Sequence, residues 1–344
     1  MKKYLITGGC GFFGANLAAR LLEMGQSVVL FDNLCRQGSE VNLAWLRGLG
    51  RPEVRTGDVR HPHVVAELVQ ETRPDVVFHL AGQVAMTTSV KSPMDDFMIN
   101  AAGTVHLLEA LRLHRPEASL VYSSTNKVYG AMEGVRLVEE ARRYSSPSHP
   151  CGIGEDQPLD FRTPYGCSKG AADQYVLEYA RTFNLRTAVF RHSTIYGCHQ
   201  HATFDQGWVG WFCRQALVQK EDPTASPFTI SGDGKQVRDL LFAADAVDCY
   251  LAAEQKIDAI RGRAFNLGGG MGNSSSLLEL FDLLEGELGF RLRYEKLPWR
   301  HEDQRFFVAD LDAVFAGLSW SPKVGKKEGV RQVLSWASRA TGKG

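Results

Sequence analysis

The sequence predicts an α/β protein built on a doubly wound, parallel sheet, with a smaller C-terminal domain. Short apolar strands alternate with helical patterns five or six times between residues 3 and 191. A glycine-rich turn lies directly between the first strand and the first helix, and this is the entry unit of a dinucleotide-binding sheet of the Rossmann type. The alternation breaks after residue 191, which predicts a second domain of different construction.

Length and composition exclude several classes of function. With 344 residues, 44% of them hydrophobic and 23% charged, the chain has the composition of a globular protein with one large or two intimate domains. Basic and acidic residues number 39 each, so we expect no nucleic-acid partner and no membrane surface. No apolar run approaches the roughly 20 residues that a membrane span needs.

The cysteines and the N-terminus indicate a cytoplasmic protein without a metal site. The seven cysteines are scattered and include no C-x-x-C pair, which favours reduced thiols. His199 and His201 lie near Cys198, but a polar loop is the better interpretation than a metal site, since no cysteine or carboxylate set surrounds them. The N-terminus passes straight into the first strand without the features of a signal peptide.

The first strand, turn and helix (residues 3–7, 8–14 and 15–24) predict a site for a dinucleotide diphosphate. Gly8 permits the tight turn, Gly11 lets backbone N–H groups approach the diphosphate, and Gly14 lets helix and strand pack closely. The spacing is G-x-x-G-x-x-G. The cofactor contacts predicted here are Gly8, Gly11, Phe12, Phe13 and Gly14.

The end of the second strand, residues 27–31, predicts NAD rather than NADP. A carboxylate at Asp32 accepts hydrogen bonds from the ribose hydroxyls and repels a 2′-phosphate. Arg36 lies close by and weakens this preference, because an arginine accommodates that phosphate. A turn-initiating aspartate before Asn33 is the alternative interpretation of Asp32. Asn33 and Arg36 are also predicted to contact the cofactor.

The later strands are predicted over residues 54–57, 75–80, 119–123 and 187–191. Their carboxyl ends lie at the edge of a parallel sheet where ligands bind. Helices are predicted over 62–72 and 93–113, the latter carrying Asn100. The cofactor-binding residues predicted from this part of the chain are Asp58, Val59, Leu80, Ala81, Gly82, Gln83, Asn100, Ser123 and His192.

Tyr165 and Lys169 lie four residues apart at the start of a helical pattern, so both side chains leave the same helix face. A phenol is a poor base at neutral pH, and a nearby ammonium lowers its pKa and makes it a usable one. A solvated pair that met by chance is the alternative. This helix follows the fifth predicted strand. That strand places Thr125 at the carboxyl edge of the sheet, where ligands bind.

Domain boundaries are predicted from the break in the alternation. We expect a cofactor domain over 1–190 with a returning segment near 237–268, and a substrate domain over 191–236 and 269–344. A glycine turn at 232–234 leads to Arg238, which suits a diphosphate, and Arg300 is a second candidate clamp. The aromatic run 208–212 stacks on a base or belongs to the core. The polar segment 131–162 forms a wall over the site or is a solvent loop.

Together these motifs resemble the extended short-chain dehydrogenase/reductase family of the nucleotide-sugar type, over essentially the whole chain. Residues 81–89, 123–130, 164–175 and 205–212 resemble its 2-epimerases, and a CDP-linked sugar is favoured. The resemblance implies a tightly held NAD⁺. Tyr165 would take the proton of the C2 hydroxyl while C2 gives up its hydride, with Thr125 bound to the same oxygen and Lys169 to the nicotinamide ribose. The 2-ketose would then turn its other face and regain the hydride.

The same resemblance implies a substrate site and leaves three alternatives open. Related 4,6-dehydratases carry an Asp-Glu pair after the threonine, where this chain has Asn126 and Lys127, so dehydration is disfavoured. A 4-epimerase, another nucleotide base such as uracil or guanine, and a non-catalytic NAD-binding protein are the alternatives. His192 departs from the family, and a buried histidine is favoured over a proton shuttle. A homodimer or homotetramer is expected, through the helices at 93 and 165. The implied substrate contacts are Gln83, Met86, Thr87, Asn126, Lys127, Gln206, Trp208, Val209, Gln236, Arg238, Arg300 and Asp303.

Overall fold

The computed structural model describes residues 1–299 and 303–341, with side chains described through residue 339. The strands are β1 (Lys3–Thr7), β2 (Ser27–Asp32), β3 (Glu53–Thr56), β4 (Val76–His79), β5 (Ser119–Thr125), β6 (Val138–Glu139), β7 (Tyr144–Ser145), β8 (Arg186–His192), β9 (Thr194–Tyr196), β10 (Phe228–Ser231), β11 (Val237–Phe242), β12 (Arg263–Leu267), β13 (Ser274–Ser276), β14 (Tyr294–Leu297) and β15 (Phe306–Phe307).

The α-helices are α1 (Phe12–Glu23), α2 (Ser39–Leu49), α3 (Pro62–Thr72), α4 (Met86–Lys91), α5 (Pro93–Phe97), α6 (Gly103–His114), α7 (Thr163–Phe183), α8 (Trp208–Glu221), α9 (Ala243–Gln255), α10 (Ile257–Ile260), α11 (Leu277–Leu288), α12 (Asp312–Leu318) and α13 (Lys326–Thr341). A π-helical turn, Met98–Ala102, joins α5 to α6. Short 3₁₀ turns cover Asn126–Tyr129 and Met271–Asn273.

The predicted doubly wound sheet is confirmed. Seven parallel strands lie in the order β12-β8-β5-β4-β1-β2-β3. The chain proceeds from β1 outward to β3 and then crosses to β4 on the other side of β1, so the strand order reverses between β1 and β4. A crevice opens outside the carboxyl ends of the strands at such a reversal, and ligands bind there.

Helices cover both faces of this sheet, because its strands are apolar on both sides. On one face Leu30 and Phe78 pack with helices α1 and α9, and Tyr250 of α9 is fully buried there. On the other face Tyr122 packs with α3, α6 and α7, and it is fully buried as well. These two cores hold the carboxyl ends of the strands in fixed positions.

The remaining elements form a C-terminal lobe around strand β11. This strand pairs with β9, β13 and β15, and a third apolar core lies between α8, α11 and α13. Within the predicted returning segment, 237–268, β12 joins the seven-stranded sheet, whereas β11 does not. The division into two domains stays a prediction.

The polar segment 131–162 is attached to the C-terminal lobe. Ile153 forms a parallel bridge with Ala309, and the Tyr144 hydroxyl donates to Asp233 over 2.6 Å. Glu155 accepts a hydrogen bond from the backbone N–H of Asn266 in β12. These contacts contradict the interpretation of the segment as a free solvent loop.

The described part of the chain contains no membrane-spanning helix, no disulfide bond and no cluster of metal-binding side chains. None of its helices has the length and apolar character of a membrane span. Its seven cysteines are all free of disulfide bonds. No group of three or more histidine, cysteine, aspartate or glutamate side chains within it is arranged to hold a metal ion.

Candidate active site

A cleft of about 700 Å³ lies at the carboxyl edge of the sheet, where the strand order reverses. Its walls come from the ends of β1, β2, β4, β5 and β8 and from the segment 199–208 that precedes α8. The predicted residues that line it are Gly8, Gly11, Phe12, Phe13, Gly14, Asp32, Asn33, Arg36, Asp58, Val59, Leu80, Ala81, Gly82, Gln83, Ser123, Thr125, Tyr165, Lys169, His192, Gln206 and Trp208.

The glycine turn fits a dinucleotide diphosphate because side chains are excluded from it. Gly8 has φ +69°, and a Cβ there would lie 2.8 Å from the backbone nitrogen of Ala81. A Cβ on Gly14 would lie 2.2 Å from the Gly8 carbonyl oxygen. Helix α1 therefore starts directly on the turn, with its N-terminal N–H groups facing the cleft.

Asp32 holds the turn and lines the cleft. One of its carboxylate oxygens accepts from the backbone N–H of Cys10 over 2.9 Å and the other from that of Leu34 over 2.8 Å. The interpretation as a turn-forming aspartate is thus correct, and its place at the end of β2 still puts the carboxylate in the cleft wall. Arg36 lines the same wall. The carboxylate that favours NAD and the arginine that accommodates a 2′-phosphate therefore lie on the same side of the cleft.

Asn33 and Asp58 form the far end of the cofactor wall. The Asn33 side chain donates to Asp58 over 2.8 Å, and Arg60 donates to the same carboxylate over 2.9 Å. Burial alone would raise the pKa of Asp58, but the hydrogen bonds from Arg60 and Asn33 hold it at about 2. Asp58 is therefore an anion at neutral pH.

The Thr125–Tyr165–Lys169 trio meets at one point of the cleft, with all three residues buried. Thr125 ends β5, and its hydroxyl oxygen accepts from the backbone N–H of Lys127 over 3.2 Å. The Thr125 hydroxyl acts on the Tyr165 phenol and opposes the rise of its pKa. Lys169 donates to the backbone carbonyl of Ser123 and lies 4.3 Å from the ring centre of Tyr122.

The pKa of the tyrosine differs from the expectation. Burial raises the pKa of Tyr165 to about 12, with Thr125 opposing and Asp96 reinforcing the rise. Burial also lowers the pKa of Lys169 to about 7, against the attraction of Asp173 and Asp96. The expected lowering of the tyrosine pKa is wrong for these side chains alone, because desolvation is the largest effect on the phenol and Asp96 adds to it.

His192 is a buried histidine with both ring nitrogens partnered. Its Nε2 lies 2.9 Å from the Tyr250 hydroxyl and its Nδ1 lies 3.3 Å from the Ser123 hydroxyl. Burial, followed by the charge of Lys169, lowers the pKa of His192 to about 3. The imidazole is therefore neutral at physiological pH, in agreement with the interpretation that it does not shuttle protons.

Several predicted residues lie away from the cleft. Asn100 is buried behind it and binds both backbone groups of Gln83, so it positions the wall and does not form it. The Val209 side chain is fully buried in the core of the C-terminal lobe, and its predicted substrate contact is wrong, because Trp208 faces the cleft and Val209 faces inward. Met86 and Thr87 are not among the lining residues, and Thr87 donates to Asp205 over 3.2 Å.

The other predicted substrate residues form a cluster around the turn that follows β5, Asn126–Tyr129, which we call the catalytic loop. Asp303 accepts from Lys127 over 3.2 Å and from Arg238 over 3.1 Å. The Asn126 side chain donates to Gln304 over 2.8 Å. The cluster joins β5 to β11, and none of its members is in the cleft wall. Gln236 also lies outside that wall and donates to the backbone of residue 231, whereas Arg300 lies outside the described residues.

Two groups of site residues escaped the sequence analysis. Segment 199–205 lines the cleft opposite the glycine turn, and His199 stacks on Trp45 with ring centres 3.5 Å apart. A buried ion pair, Arg191–Asp173, joins β8 to α7 over 2.9 Å. Neither group has a local sequence signal, because its partners are distant in the chain.

Comparisons with known proteins identify the family of the chain. Residues 4–268 match the model of the NAD dependent epimerase/dehydratase family. The chain is 52% identical over 336 residues to the CDP-paratose 2-epimerase of Salmonella typhi, covering 98% of this chain and 99% of that protein. It is 30% identical over 332 residues to the UDP-glucose 4-epimerase of Mycolicibacterium smegmatis, covering 96% and 97%.

Solved structures agree as well. The UDP-glucose 4-epimerase of Thermotoga maritima with UDP-glucose superposes with a TM-score of 0.84 at 26% identity, covering 98% of this chain and 99% of that one. The UDP-glucose 4-epimerase of Thermus thermophilus in complex with NAD superposes with a TM-score of 0.81 at 27% identity, with the same coverage.

The fold and the site thus define a dinucleotide-dependent enzyme of the Rossmann type with a tyrosine–lysine pair. The chain belongs to the NAD dependent epimerase/dehydratase family. The predictions of an NAD-dependent enzyme of the epimerase class, and of NAD as its cofactor, are confirmed.

Proposed function

We propose that this protein inverts C2 of a CDP-linked 3,6-dideoxyhexose, converting CDP-paratose to CDP-tyvelose through a transient 2-keto sugar. The observation that carries the choice of substrate is the 52% identity to CDP-paratose 2-epimerase over nearly the whole of both chains. The chemistry has separate support in the geometry, since a hydroxyl, a phenol and an amine converge at the edge of a dinucleotide cleft.

The residues of the cleft fit NAD. The glycine turn excludes side chains from the diphosphate position, Asp32 faces the ribose position, and Gly82 leaves room beside Lys169, whose Nζ would lie 3.8 Å from a Cβ there. Bound NAD⁺ supplies a hydride acceptor for the sugar carbon, a donor for its return, and a positive ring that favours the phenolate.

Tyr165 is the proposed base, and its environment explains why it needs both neighbours. The phenol must give up its proton before it accepts that of the sugar hydroxyl, and burial, reinforced by Asp96, raises its pKa to about 12. Thr125 opposes the rise of the tyrosine pKa, and the Lys169 ammonium lies beside the cofactor position. Each stabilises negative charge on the oxygens that exchange the proton. The same phenol returns the proton when the ketone is reduced on its other face.

The catalytic loop opposes a dehydratase function. Elimination of water needs an acid and a base next to the threonine. Here the Asn126 amide is bonded to Gln304 and the Lys127 ammonium to Asp303. Neither group is a carboxylate, so we propose epimerisation without dehydration.

A second candidate is 4-epimerisation of a UDP-linked hexose. Two relatives named UDP-glucose 4-epimerase, at 30% and 27% identity, match nearly the whole chain. The same trio oxidises whichever carbinol the pocket presents, so the position of the sugar decides between C2 and C4. The higher identity to the 2-epimerase favours C2.

The test is proton NMR of CDP-paratose incubated with the purified protein and no added cofactor. We expect the spectrum of CDP-tyvelose to appear and no loss of water from the sugar. Tyr165→Phe should retain NAD and lose turnover by at least about a thousandfold, since it removes the base without changing the fold. Turnover of UDP-glucose but not of CDP-paratose would replace the first candidate by the second.

We further propose a cytoplasmic homo-oligomer, a dimer or a tetramer, that forms through α4, α5 and α7. Exposed apolar side chains collect on these helices, at Val90, Met94, Phe97, Tyr175 and Phe183. Exposed apolar side chains on neighbouring helices are typical of an interface, and a second copy of the chain is the partner that the homo-oligomeric family favours. Light scattering after gel filtration should give the mass of a dimer or of a tetramer.

Two variants test this face. Met94 is 70% exposed on α5, and Met24 is 49% exposed at the end of α1, away from the face. Met94→Glu should dissociate the oligomer, because the charge would have to be buried, whereas Met24→Glu should not. A monomeric wild type, or a Met94→Glu variant of unchanged mass, would contradict the proposed interface.

A further inference from the structure

A buried carboxylate lies behind the Thr125–Tyr165–Lys169 trio and is not explained by the chemistry above. Asp96, near the end of α5, is 0% exposed. It accepts hydrogen bonds from the Gln83 side chain over 2.8 Å, from Asn100 over 3.3 Å and from the Ser168 hydroxyl. Among the described residues, no lysine, arginine or histidine forms a salt bridge with it, and the hydrogen bonds to its carboxylate all come from neutral donors.

These donors belong to the elements that position the catalytic groups. Ser168 lies on α7 between Tyr165 and Lys169. Gln83 belongs to the cleft wall after β4, and Asn100 binds its backbone N–H over 2.9 Å and its carbonyl over 3.0 Å. Asn100 occupies the π-helical turn, and such an insertion in a helix commonly marks a functional site. Asp96 thus connects α7, which we call the catalytic helix, to the loop after β4 that carries Gln83, which we call the cofactor loop.

Two carboxylates act on the lysine, and among the described residues Asp96 is the one that forms no salt bridge. On α7 itself, Asp173 is paired with the Arg191 guanidinium of β8 over 2.9 Å and accepts from Ser124. His79 on β4 and His192 on β8 are buried, and burial lowers the pKa of each to about 3, so both are neutral. Tyr122 on β5 and Tyr165 on α7 are protonated phenols. After Asp173, Asp96 is the second negative group that raises the pKa of Lys169. Burial raises the pKa of Asp96 itself, while the hydrogen bonds from Ser168, Gln83 and Asn100 and the charge of Lys169 oppose that rise.

Burying an unpaired carboxylate is unfavourable by several kcal/mol. An asparagine would avoid that cost, but it offers one acceptor oxygen instead of two, and its NH₂ group could not accept from the Ser168 hydroxyl. A carboxylate therefore does two things here that an amide does not: it accepts hydrogen bonds on both oxygens, and its charge acts on neighbouring groups. Both groups on which Asp96 exerts a Coulomb interaction across this cluster, Lys169 and Tyr165, belong to the trio.

We propose that Asp96 is a positioning residue of the proposed epimerase: its charge keeps the Lys169 ammonium protonated, and its hydrogen bond to Ser168 holds the catalytic helix against the cofactor loop. The inference rests on the proposed roles of Tyr165 and Lys169. Burial pulls the lysine pKa down to about 7 while Asp173 and Asp96 hold it up. Removing the Asp96 charge must lower it further, so the ammonium is lost at a lower pH.

The experiment is the pH profile of kcat for Asp96→Asn, with Asp95→Asn as the matched control. Asp95 directly precedes Asp96 on α5, but its side chain is exposed and forms a salt bridge with Arg60. In Asp96→Asn the alkaline limb of kcat should move to lower pH by roughly one unit, with NAD still bound. In Asp95→Asn the limb should stay where it is in the wild type. An alkaline limb of Asp96→Asn that coincides with the wild type would overturn the electrostatic part of the proposal.

Ser168→Ala tests the positioning of the catalytic helix separately from the charge of Asp96. It keeps the proposal testable even when Asp96→Asn does not fold. It removes the link to α7 and leaves the carboxylate, so kcat should fall at least about fivefold without a shift of either limb. A kcat within twofold of the wild type would overturn the positioning role. An active Tyr165→Phe variant would instead refute the proposed function, which keeps the two failures distinct.

Discussion

Gly14→Ala tests the close approach of α1 to the glycine turn. A Cβ at residue 14 would lie 2.2 Å from the Gly8 carbonyl oxygen and 2.8 Å from the Gly9 Cα. Carbon and oxygen atoms in contact are ordinarily more than about 3 Å apart, so the helix and the turn must separate by roughly 1 Å. Both neighbours are backbone atoms, and neither can move away as a side chain would. The N–H groups that face the diphosphate position move with them.

The magnitude follows from two opposing terms. Overpacking against backbone destabilises by about 3 kcal/mol, and replacing glycine by alanine inside a helix stabilises by about 1 kcal/mol. The net loss in the free energy of unfolding is about 2 kcal/mol. With an unfolding entropy near 2.1 cal/mol/K for each of 344 residues, this lowers Tm by about 3 °C.

Gly48→Ala is the matched control. Gly48 also lies in a helix, α2, and nothing lies within 4 Å of a Cβ built on it. It should gain the helix term alone, so its Tm should rise by about 1 °C. The assays are calorimetry and the amount of NAD released from each purified protein. A Gly14→Ala variant with wild-type Tm and a full complement of NAD would refute the packing argument.

Three other substitutions test the cleft and its support. Asp32→Ala should lower the affinity for NAD at least tenfold while NADP is affected less, because a ribose acceptor and a repulsive charge are both lost; equal losses for the two cofactors in fluorescence titrations would disprove this role. Arg191→Met leaves Asp173 buried and unpaired, so denaturant titration should show a loss of about 3–5 kcal/mol, against which a loss below about 1 kcal/mol would speak. Ser276→Ala removes the capping box at the start of α11 and should lower the free energy of unfolding by about 1 kcal/mol, with kcat unchanged.

Sequence reasoning worked where the signal was local. The turn around Gly8, the carboxylate at the end of β2 and the four-residue spacing of Tyr165 and Lys169 each depend on a few neighbouring residues. Their roles follow from backbone freedom, charge and helix periodicity. The strands β1 and β5 and the helix α3 were also predicted nearly to the residue.

The misses share a physical cause, which is dependence on partners far along the chain. Helix α2 was not predicted, although its Asn42 binds the backbone of Cys10 and of residue 199. The neutral side chains that bind Asp96 come from α7, the loop after β4 and the π-helical turn, and no pattern in the sequence joins them. Trp208 and Val209 are adjacent in sequence and face opposite ways, because the N-terminal start of α8 sets the side that meets the cleft.

The pKa of Tyr165 shows the same limit for electrostatics. A four-residue spacing places an ammonium near the phenol, but it does not reveal how deeply both groups are buried. Desolvation raises the tyrosine pKa to about 12 and lowers that of Lys169 to about 7, and only the packing of α7 against β5 determines this.

The most direct test of the central claim is epimerisation of CDP-paratose in D₂O, followed by proton NMR of C2. In the proposed reaction the hydrogen on C2 leaves as hydride and returns to the same carbon, while only the hydroxyl proton passes through Tyr165. The CDP-tyvelose formed should therefore keep its C2 proton signal at full intensity and carry no deuterium on carbon. Deuterium at C2 would show that the carbon is deprotonated and reprotonated by solvent, and it would contradict oxidation and reduction by a retained NAD.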